Sequence, residues 1–278
     1  MSDTSDIAKR MKEYEFVSRT YLMKKTPVIV RLDGVAFHTF TRGMKRPFDD
    51  EVLLEAMRQT MLDLCKWASG CVFGYTQSDE ITLVLTDYKT LNTAPFYEYK
   101  VQKLVSIFAS RATLYFNKHF SELVDQVYAD EDTAKAETYR SKRMQACFDC
   151  RVFNLPKGEV QNNLYWRQLD ASRNSVSQVA QCNFSSKELY KKTNSQMQDM
   201  LMTQKGINWN DMPTWLKRGA CCIKKSAVKT RTVKSTGEQV EFTRMEWEID
   251  KEPPIFSKDW AYITDRVYFE GEFAKDEK

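Results

Sequence analysis

The sequence predicts a mixed α/β (α+β) fold: an antiparallel sheet built in the order βαββαβ, followed by a helical and β-hairpin C-terminal extension. Three observations carry that expectation. Short apolar runs bounded by glycine or polar residues recur at residues 26–33, 71–75, 81–85 and 147–155. Stretches at 49–70 and 96–119 repeat apolar residues every three or four positions, as helices do. The second and third runs are separated by only five polar residues, which is hairpin spacing.

In the first run Val28, Val30 and Leu32 point one way and Ile29, Arg31 and Asp33 the other. Gly34 ends it, so Asp33 stands at the C-terminal edge of a strand. Asp49-Asp50 can cap a helix whose apolar positions Val52, Leu53, Ala56, Met57, Met61, Leu64, Cys65 and Ala68 follow the helical period up to Gly70. The hairpin at 71–85 carries Asp79 and Glu80 at its tip. Along 96–119, Val101, Leu104, Val105, Phe108, Ala112, Tyr115 and Phe116 form an apolar face, with Lys103, Ser106 and Ser110 opposite. After the acids around Asp130 comes the fourth strand, and residues 162–180 read as a further helix carrying Trp166, Leu169, Val176 and Val179.

The order βαββαβ is the ferredoxin-like arrangement, with both helices on one face of the sheet and the other face open. It brings the end of the Asp33 strand beside the Asp79-Glu80 hairpin. Residues 185–278 read as helical up to Arg218 and then strand-rich, with a turn at Thr236-Gly237. The expected division is therefore 1–184 for the sheet domain and 185–278 for a region packed on it.

Composition narrows the chemistry. The 278 residues are 42% hydrophobic, 13% aromatic and 29% charged, a balance that supports a buried core. No apolar run approaches a membrane span, and residues 1–10 lack the apolar segment of a secretory leader. Seven cysteines, an odd number, read as reduced thiols, so a cytoplasmic location is expected. His38 and His119 are the only imidazoles, which excludes multi-histidine metal sites and most triads. Carboxylates are left as the agents of any catalysis.

The net charge of +4 is unevenly spread. Residues 212–237 hold Lys217, Arg218, Lys224, Lys225, Lys229, Arg231 and Lys234 with no acid, and Arg31, Arg42, Lys45 and Arg46 surround a single Asp33. Such stretches suit phosphates or nucleic acid, or are solvated hairpins, and charge alone does not separate the two. Asp33 and Asp79 suit a magnesium site, because that hard cation takes few protein oxygens and keeps waters and substrate phosphates. Taken alone, each is equally an Asp-Gly turn or a polar hairpin tip.

The surrounding residues give those carboxylates more weight. Arg31-Leu32-Asp33-Gly34-Val35-Ala36-Phe37-His38-Thr39-Phe40-Thr41, Arg46-Pro47-Phe48-Asp49 and Tyr75-Thr76-Gln77-Ser78-Asp79-Glu80-Ile81 closely resemble the tRNA(His) guanylyltransferase family. So do Ser106-Ile107-Phe108-Ala109-Ser110, Phe148-Asp149-Cys150-Arg151-Val152 and Trp166-Arg167-Gln168-Leu169-Asp170. The resemblance covers roughly residues 10 to 225. It implies a polymerase-type palm that adds nucleotides to the 5′ end of tRNA in the 3′-to-5′ direction, with two magnesium ions, GTP or ATP and other nucleoside triphosphates as substrates, and a homotetrameric assembly.

Carried over residue by residue, the resemblance makes Asp33 and Asp79 the metal carboxylates, Gly34 a carbonyl ligand and Glu80 an accessory catalytic acid. Gly34, Val35, Ala36, Phe37, His38 and Ser78 would hold the nucleotide. Arg46, with Lys45 adjacent, stands where the family usually has lysine. Lys103 is a candidate phosphate contact, or else a solvated helix lysine. Arg167 and Asn174 are expected to face the nucleotide or the tRNA end.

One departure bears on substrate choice. Where eukaryotic members carry His-Ile-Asn-Asn, this chain has Ser172-Arg173-Asn174-Ser175. It thus resembles the guanylyltransferase-like branch, which prefers template-dependent addition and repairs 5′-truncated tRNAs. Zinc at Cys147, Cys150, Cys221 and Cys222 is disfavoured, because a strand sends Cys147 and Cys150 to opposite faces and adjacent cysteines are poor tetrahedral partners. Two other readings stand beside the main one: a nucleotide cyclase on the same palm, and a catalytically idle RNA-binding module.

Overall fold

The computed structural model describes residues 5–232 and 239–269. Its first part runs α1 (Asp6–Val17), β1 (Val28–Gly34), α2 (Phe37–Phe40), α3 (Leu53–Trp67), β2 (Cys71–Gln77), β3 (Glu80–Leu85), α4 (Val101–Val127), α5 (Ala134–Arg140) and β4 (Phe148–Asn154). It continues through α6 (Lys157–Asn183), α7 (Ser186–Leu189), α8 (Asn194–Lys205), α9 (Thr214–Arg218), β5 (Ala220–Thr232), β6 (Gln239–Asp250) and α10 (Ala261–Val267). The first four strands lie in the order β4-β1-β3-β2, all antiparallel, which is the ferredoxin-like palm. β5 pairs with β2 and β6 with β5, so the C-terminal region adds two strands to the same sheet.

Alternation along the strands decides the layers. Val30, Leu32, Ile81 and Leu83 turn toward α3 and α4, where Met61, Leu64, Phe108 and Phe116 complete one core. Ile29, Phe73, Tyr75 and Val84 turn the other way, into a second core. The second face is therefore not open as the βαββαβ pattern suggested: Val160 and Leu164 of α6, Phe256 of the segment after β6 and Ile263 of α10 cover it. β3 is buried along its length: Ile81, Leu83 and Leu85 face the first core, while Val84 joins the second and Thr82 and Glu80 continue that face toward the strand's start. Each apolar side chain so buried gains roughly 1.5–3 kcal/mol from leaving water, so a second layer is favoured.

Several boundaries differ from the sequence reading for local reasons. α3 begins at Leu53 because Asp49 accepts the Val52 N–H at 3.2 Å, while Asp50 accepts the Trp215 indole N–H at 3.0 Å instead of capping. α4 begins at Val101, after a 3-10 turn at Phe96–Tyr99 in which Tyr97 and Glu98 take positive φ. β2 and β3 extend until Gln77 faces Glu80, which leaves a turn of only Ser78 and Asp79, with Ser78 at φ 51°.

Of the basic stretch, Lys217 and Arg218 end α9, while Lys224, Lys225, Lys229 and Arg231 lie on β5 of the β5–β6 ribbon, which pairs with β2 through Ala220, Cys221 and Cys222. Its charges are matched from across the ribbon. Lys225 pairs with Glu248 at 2.8 Å, Lys229 with Glu246, and Lys224 lies 4.9 Å from the Trp247 ring centre. Lys217 is buried, donates to the Asn210 carbonyl and lies over the Trp209 ring. The stretch is thus no unbroken basic surface, because pairing with β6 brings acids from the distant tail onto it. Lys234 and the Thr236-Gly237 turn lie outside the described residues.

Candidate active site

Two backbone hydrogen bonds fix the ends of the carboxylate strands. Gly34 N–H donates to the Asp79 carbonyl at 3.1 Å, and Val35 N–H donates to the Cys147 carbonyl at 2.8 Å. Asp33 lies directly opposite Glu80 on β3 and Asp149 on β4, and residues in such register share a face of the sheet. Gln77 faces Glu80 from β2. Asp33 and Asp79 therefore stand on neighbouring chain segments at one end of the palm.

Their electrostatics fit a divalent cation. Burial pushes the Asp79 carboxyl above the usual carboxylate value; Ser78 and a backbone N–H oppose the rise, and the charge of Asp33 adds to it. The nearest cationic group to Asp33 is the Arg151 guanidinium, 3.9 Å away, which is too far for a hydrogen bond. The negative charges of Asp33 and Asp79 thus act on each other, with Arg151 as a loosely held, half-exposed counter-charge beside Asp33. Among the described residues no three histidine, cysteine or acidic side chains gather around a metal position. Two carboxylates and the Gly34 carbonyl are hard oxygens of the kind and number that magnesium takes from protein. The residues fit that ion.

Glu80 is tied across the fold to α6. Its carboxylate accepts from Arg167 Nε of α6 at 2.7 Å, and the side chains are 8% and 9% exposed. Arg167 also holds Asp170 at 2.8 Å. Burial raises the Glu80 pKa, and the Arg167 charge and hydrogen bond oppose the rise. This is a bolt between α6 and the carboxylate hairpin, and it occupies both Glu80 and Arg167. Arg167 accordingly faces Glu80 and does not line the pocket described next.

A pocket of about 340 Å³ lies between the 37–49 segment, the Ser78-Asp79 turn, α6 and α9. Phe37, His38, Lys45, Arg46, Ser78 and Asp79 line it, with Asn174 on the opposite wall. His38 and Arg46 are exposed to it, and Arg46 has no ion pair among the described residues. Lys45 is paired with Glu51 at 2.9 Å, and its backbone N–H donates to the Tyr139 hydroxyl. That hydroxyl donates in turn to Asp49 at 2.8 Å, so α5 steadies the basic loop. Burial raises the Asp49 carboxyl above its ordinary value.

Gly34, Val35 and Ala36 form the turn that leads into the pocket. A Cβ on Gly34 would stand 2.3 Å from the Phe37 ring, so only glycine lets that ring close beneath the strand end. Phe37 itself packs against Phe40, Phe116 and Phe148, which makes it chiefly a support for the turn. Lys103 is placed elsewhere. It lies near the start of α4, over the Tyr97 ring, whereas Phe116, about 20 Å further along the helix, is what touches Phe37. The polar face of a helix said nothing about which end of it reaches the site.

Gln77 received no role from the sequence although it sits inside a quoted motif. It is 7% exposed, lines the pocket, and its Oε1 has no hydrogen-bond partner among the described residues. The available signal was alternation, which sets Tyr75 and Gln77 on one face of β2 beside Asp79. Cys221 and Cys222 point into cores on opposite faces of the sheet, and burial lifts the Cys150 thiol to about 12.

The family model described as tRNAHis guanylyltransferase matches residues 8–156. The chain belongs to the tRNA(His) guanylyltransferase family. A bacterial tRNA(His) guanylyltransferase-like protein solved in complex with ATP is 41% identical, with a TM-score of 0.78 over 95% of this chain and 100% of that one. A bacterial guanylyltransferase-like structure in complex with GTP is 38% identical, with a TM-score of 0.74 and the same coverage. An uncharacterised protein of Acanthamoeba polyphaga mimivirus is 31% identical over 83% of this chain and 80% of its own length. The family match spans α1 through β4, and so includes both carboxylates and the basic loop.

Proposed function

We propose that this family member adds nucleotides to the 5′ end of tRNA by 3′-to-5′ nucleotidyl transfer. The observation that carries the reading is the pairing of Asp33 with Asp79 at the mouth of a pocket bearing Arg46 and His38. In the first step, the 5′-monophosphate oxygen of the RNA attacks the α-phosphorus of ATP or GTP and pyrophosphate leaves. In the second, the 3′-hydroxyl of an incoming nucleotide attacks the activated 5′ phosphate, and the nucleoside monophosphate leaves.

The chain's own residues supply binding, charge and fixity. The pocket takes a nucleoside triphosphate, with Arg46, which has no ion pair among the described residues, and Lys45 beside it. Asp33, Asp79 and the Gly34 carbonyl would hold magnesium, which supplies Lewis-acid stabilisation of phosphoryl oxygens when bound. The Glu80–Arg167 pair holds the hairpin that bears Asp79 against α6, so the carboxylates do not have to be reorganised during the reaction. Ser172-Arg173-Asn174-Ser175, on the helix that forms one wall of the pocket, favours a range of tRNA ends wider than tRNA(His) alone. A homotetramer and a cytoplasmic location belong to the same reading.

The test is a 5′-extension assay on tRNA(His) and on 5′-truncated tRNAs of other identity, with each nucleoside triphosphate supplied separately. Extension by the parent and its loss in folded Asp33→Ala and Asp79→Ala variants is the expected result. Undiminished extension by those variants overturns the assignment, and a cyclic product from nucleotide alone would replace it.

A further inference from the structure

Asp79 lines the pocket, whereas Asp33, one strand over, does not. The carboxylate pair thus has two sides, and only one is occupied by the nucleotide pocket. On the other side the palm ends in its edge strand β4, and Trp166 of α6 lies over Arg31 of the adjoining strand β1. We propose that the strip from Arg151 past Trp166 to Arg173, on the β4 side of the carboxylates, receives the 5′-terminal nucleotides of the RNA. The arginines take phosphates and Trp166 takes a base. This rests on the function proposed above and adds the side on which the second substrate lies.

The arginines are arranged for an anion. Arg151 of β4 stands in register with Arg31 of β1, on the same face of the sheet, so two guanidiniums share that face. The acids nearest Arg151 are Asp33 and Asp149, each 3.9 Å away, so its guanidinium breaks no hydrogen bond to either when it meets a phosphate oxygen. Its side chain is 54% exposed. Arg31 Nε is withdrawn from solvent with no partner among the described residues.

Trp166 supplies what a purely electrostatic surface lacks. It is 48% exposed, although an indole is ordinarily mostly buried, and two guanidiniums hold its ring: Arg167 at 4.4 Å and Arg31 at 5.9 Å from the centre. Leu169 and Arg173 follow at three and seven residues along α6, on the same stripe and exposed. Asp170 on this stripe is already matched by Arg167 and Arg173. An exposed aromatic between cations is the combination that binds unpaired nucleotides, through ring stacking and phosphate contacts together. Arg31 is two residues from Asp33 on one strand face, about 7 Å, so the strip leads directly to the reacting end.

The proposal is tested on the full chain with a 3′-labelled RNA bearing an unpaired 5′ end, prepared with a 5′-monophosphate or a 5′-hydroxyl. Binding is followed by anisotropy, and ATP and GTP affinity is measured separately. Trp166→Ala should weaken RNA binding roughly ten-fold or more while Trp166→Phe retains most of it, because stacking needs a ring. Arg151→Gln should abolish the preference for the 5′-phosphate. Neither change should alter ATP or GTP affinity.

Parent-like RNA binding in both Trp166→Ala and Arg151→Gln overturns the proposal, as does an equal loss of RNA and nucleotide affinity. If Trp166→Ala does not fold, the phosphate preference of Arg151→Gln decides alone. A parent that extends RNA while the variants bind it normally refutes only this inference; a parent that neither extends nor binds RNA refutes the proposed function as well.

Discussion

Arg167 Nε of α6 lies 2.7 Å from Glu80 Oε1 of β3, and both side chains are almost wholly out of water. A helix from one part of the chain is thereby fastened to the turn that carries Asp79. Removing one partner leaves a buried, unpaired charge, whereas removing both does not. Arg167→Met should therefore cost about 3–5 kcal/mol in urea unfolding, and Arg167→Met combined with Glu80→Leu should recover most of it. If the double variant is stable and still extends RNA, Glu80 supports the site and takes no part in the chemistry. A double variant no more stable than the sum of the single losses would sink the account.

The raised Asp79 carboxyl has a pH signature. Between the ordinary aspartate value and the raised one, the folded chain binds more protons than the unfolded chain, so stability without metal falls as pH rises through that window. Asp33→Asn removes the like charge but not the burial, which is the larger cause. The variant should show a shallower dependence of Tm on mildly acid pH and a gain at neutral pH of no more than about 1 kcal/mol. An unchanged slope would mean that the two carboxylates do not sense each other.

Gln77 offers a separation of folding from binding. Its buried Oε1 has no hydrogen-bond partner among the described residues, so Gln77→Leu should leave stability unchanged or raise it. The same change should raise the KM for nucleotide about ten-fold, the equivalent of about 1.4 kcal/mol, if that oxygen meets a donor on the ligand. Unaltered steady-state kinetics would show that the amide is idle.

At Gly34 steric exclusion is the issue. A methyl group there collides with the Phe37 ring at 2.3 Å, and the ring is enclosed by Phe40, Phe116 and Phe148. Gly34→Ala should cost about 1–3 kcal/mol and depress activity by displacing the strand end. A fully active, fully stable variant would contradict the packing described.

Lys103→Ala should leave nucleotide affinity within experimental error, since the lysine lies about 20 Å along α4 from the Phe116 that touches the site. A clear rise in KM for nucleotide would place it at the pocket after all.

Much of the palm was legible because its elements are periodic. Alternation along β1 gave the direction of Asp33, and the five-residue spacing before Ile81 gave the hairpin. What escaped was set by distant partners. The second core depends on α6 and α10 meeting Phe73 and Val84, and no local pattern announces that a sheet will be covered twice. Glu80 and Arg167 are 87 residues apart, so their bond could not be read from either neighbourhood. The lysines of β5 looked unmatched because Glu246 and Glu248 come opposite them only once the ribbon has paired. Lys103 lies outside the pocket lining, because a helical face has two ends and periodicity does not say which one points at the site.

The hydrogen bond from Gly34 N–H to the Asp79 carbonyl belongs to main chain alone. The approach of the two acid-bearing segments is therefore set first by a backbone contact, which the Glu80–Arg167 pair and the Phe37 packing then support. Segments such as Ser172-Arg173-Asn174-Ser175 are carried on a helix outside that contact. A change in that helix segment can thus alter which RNA end is accepted while leaving the main-chain contact between the acid-bearing segments in place.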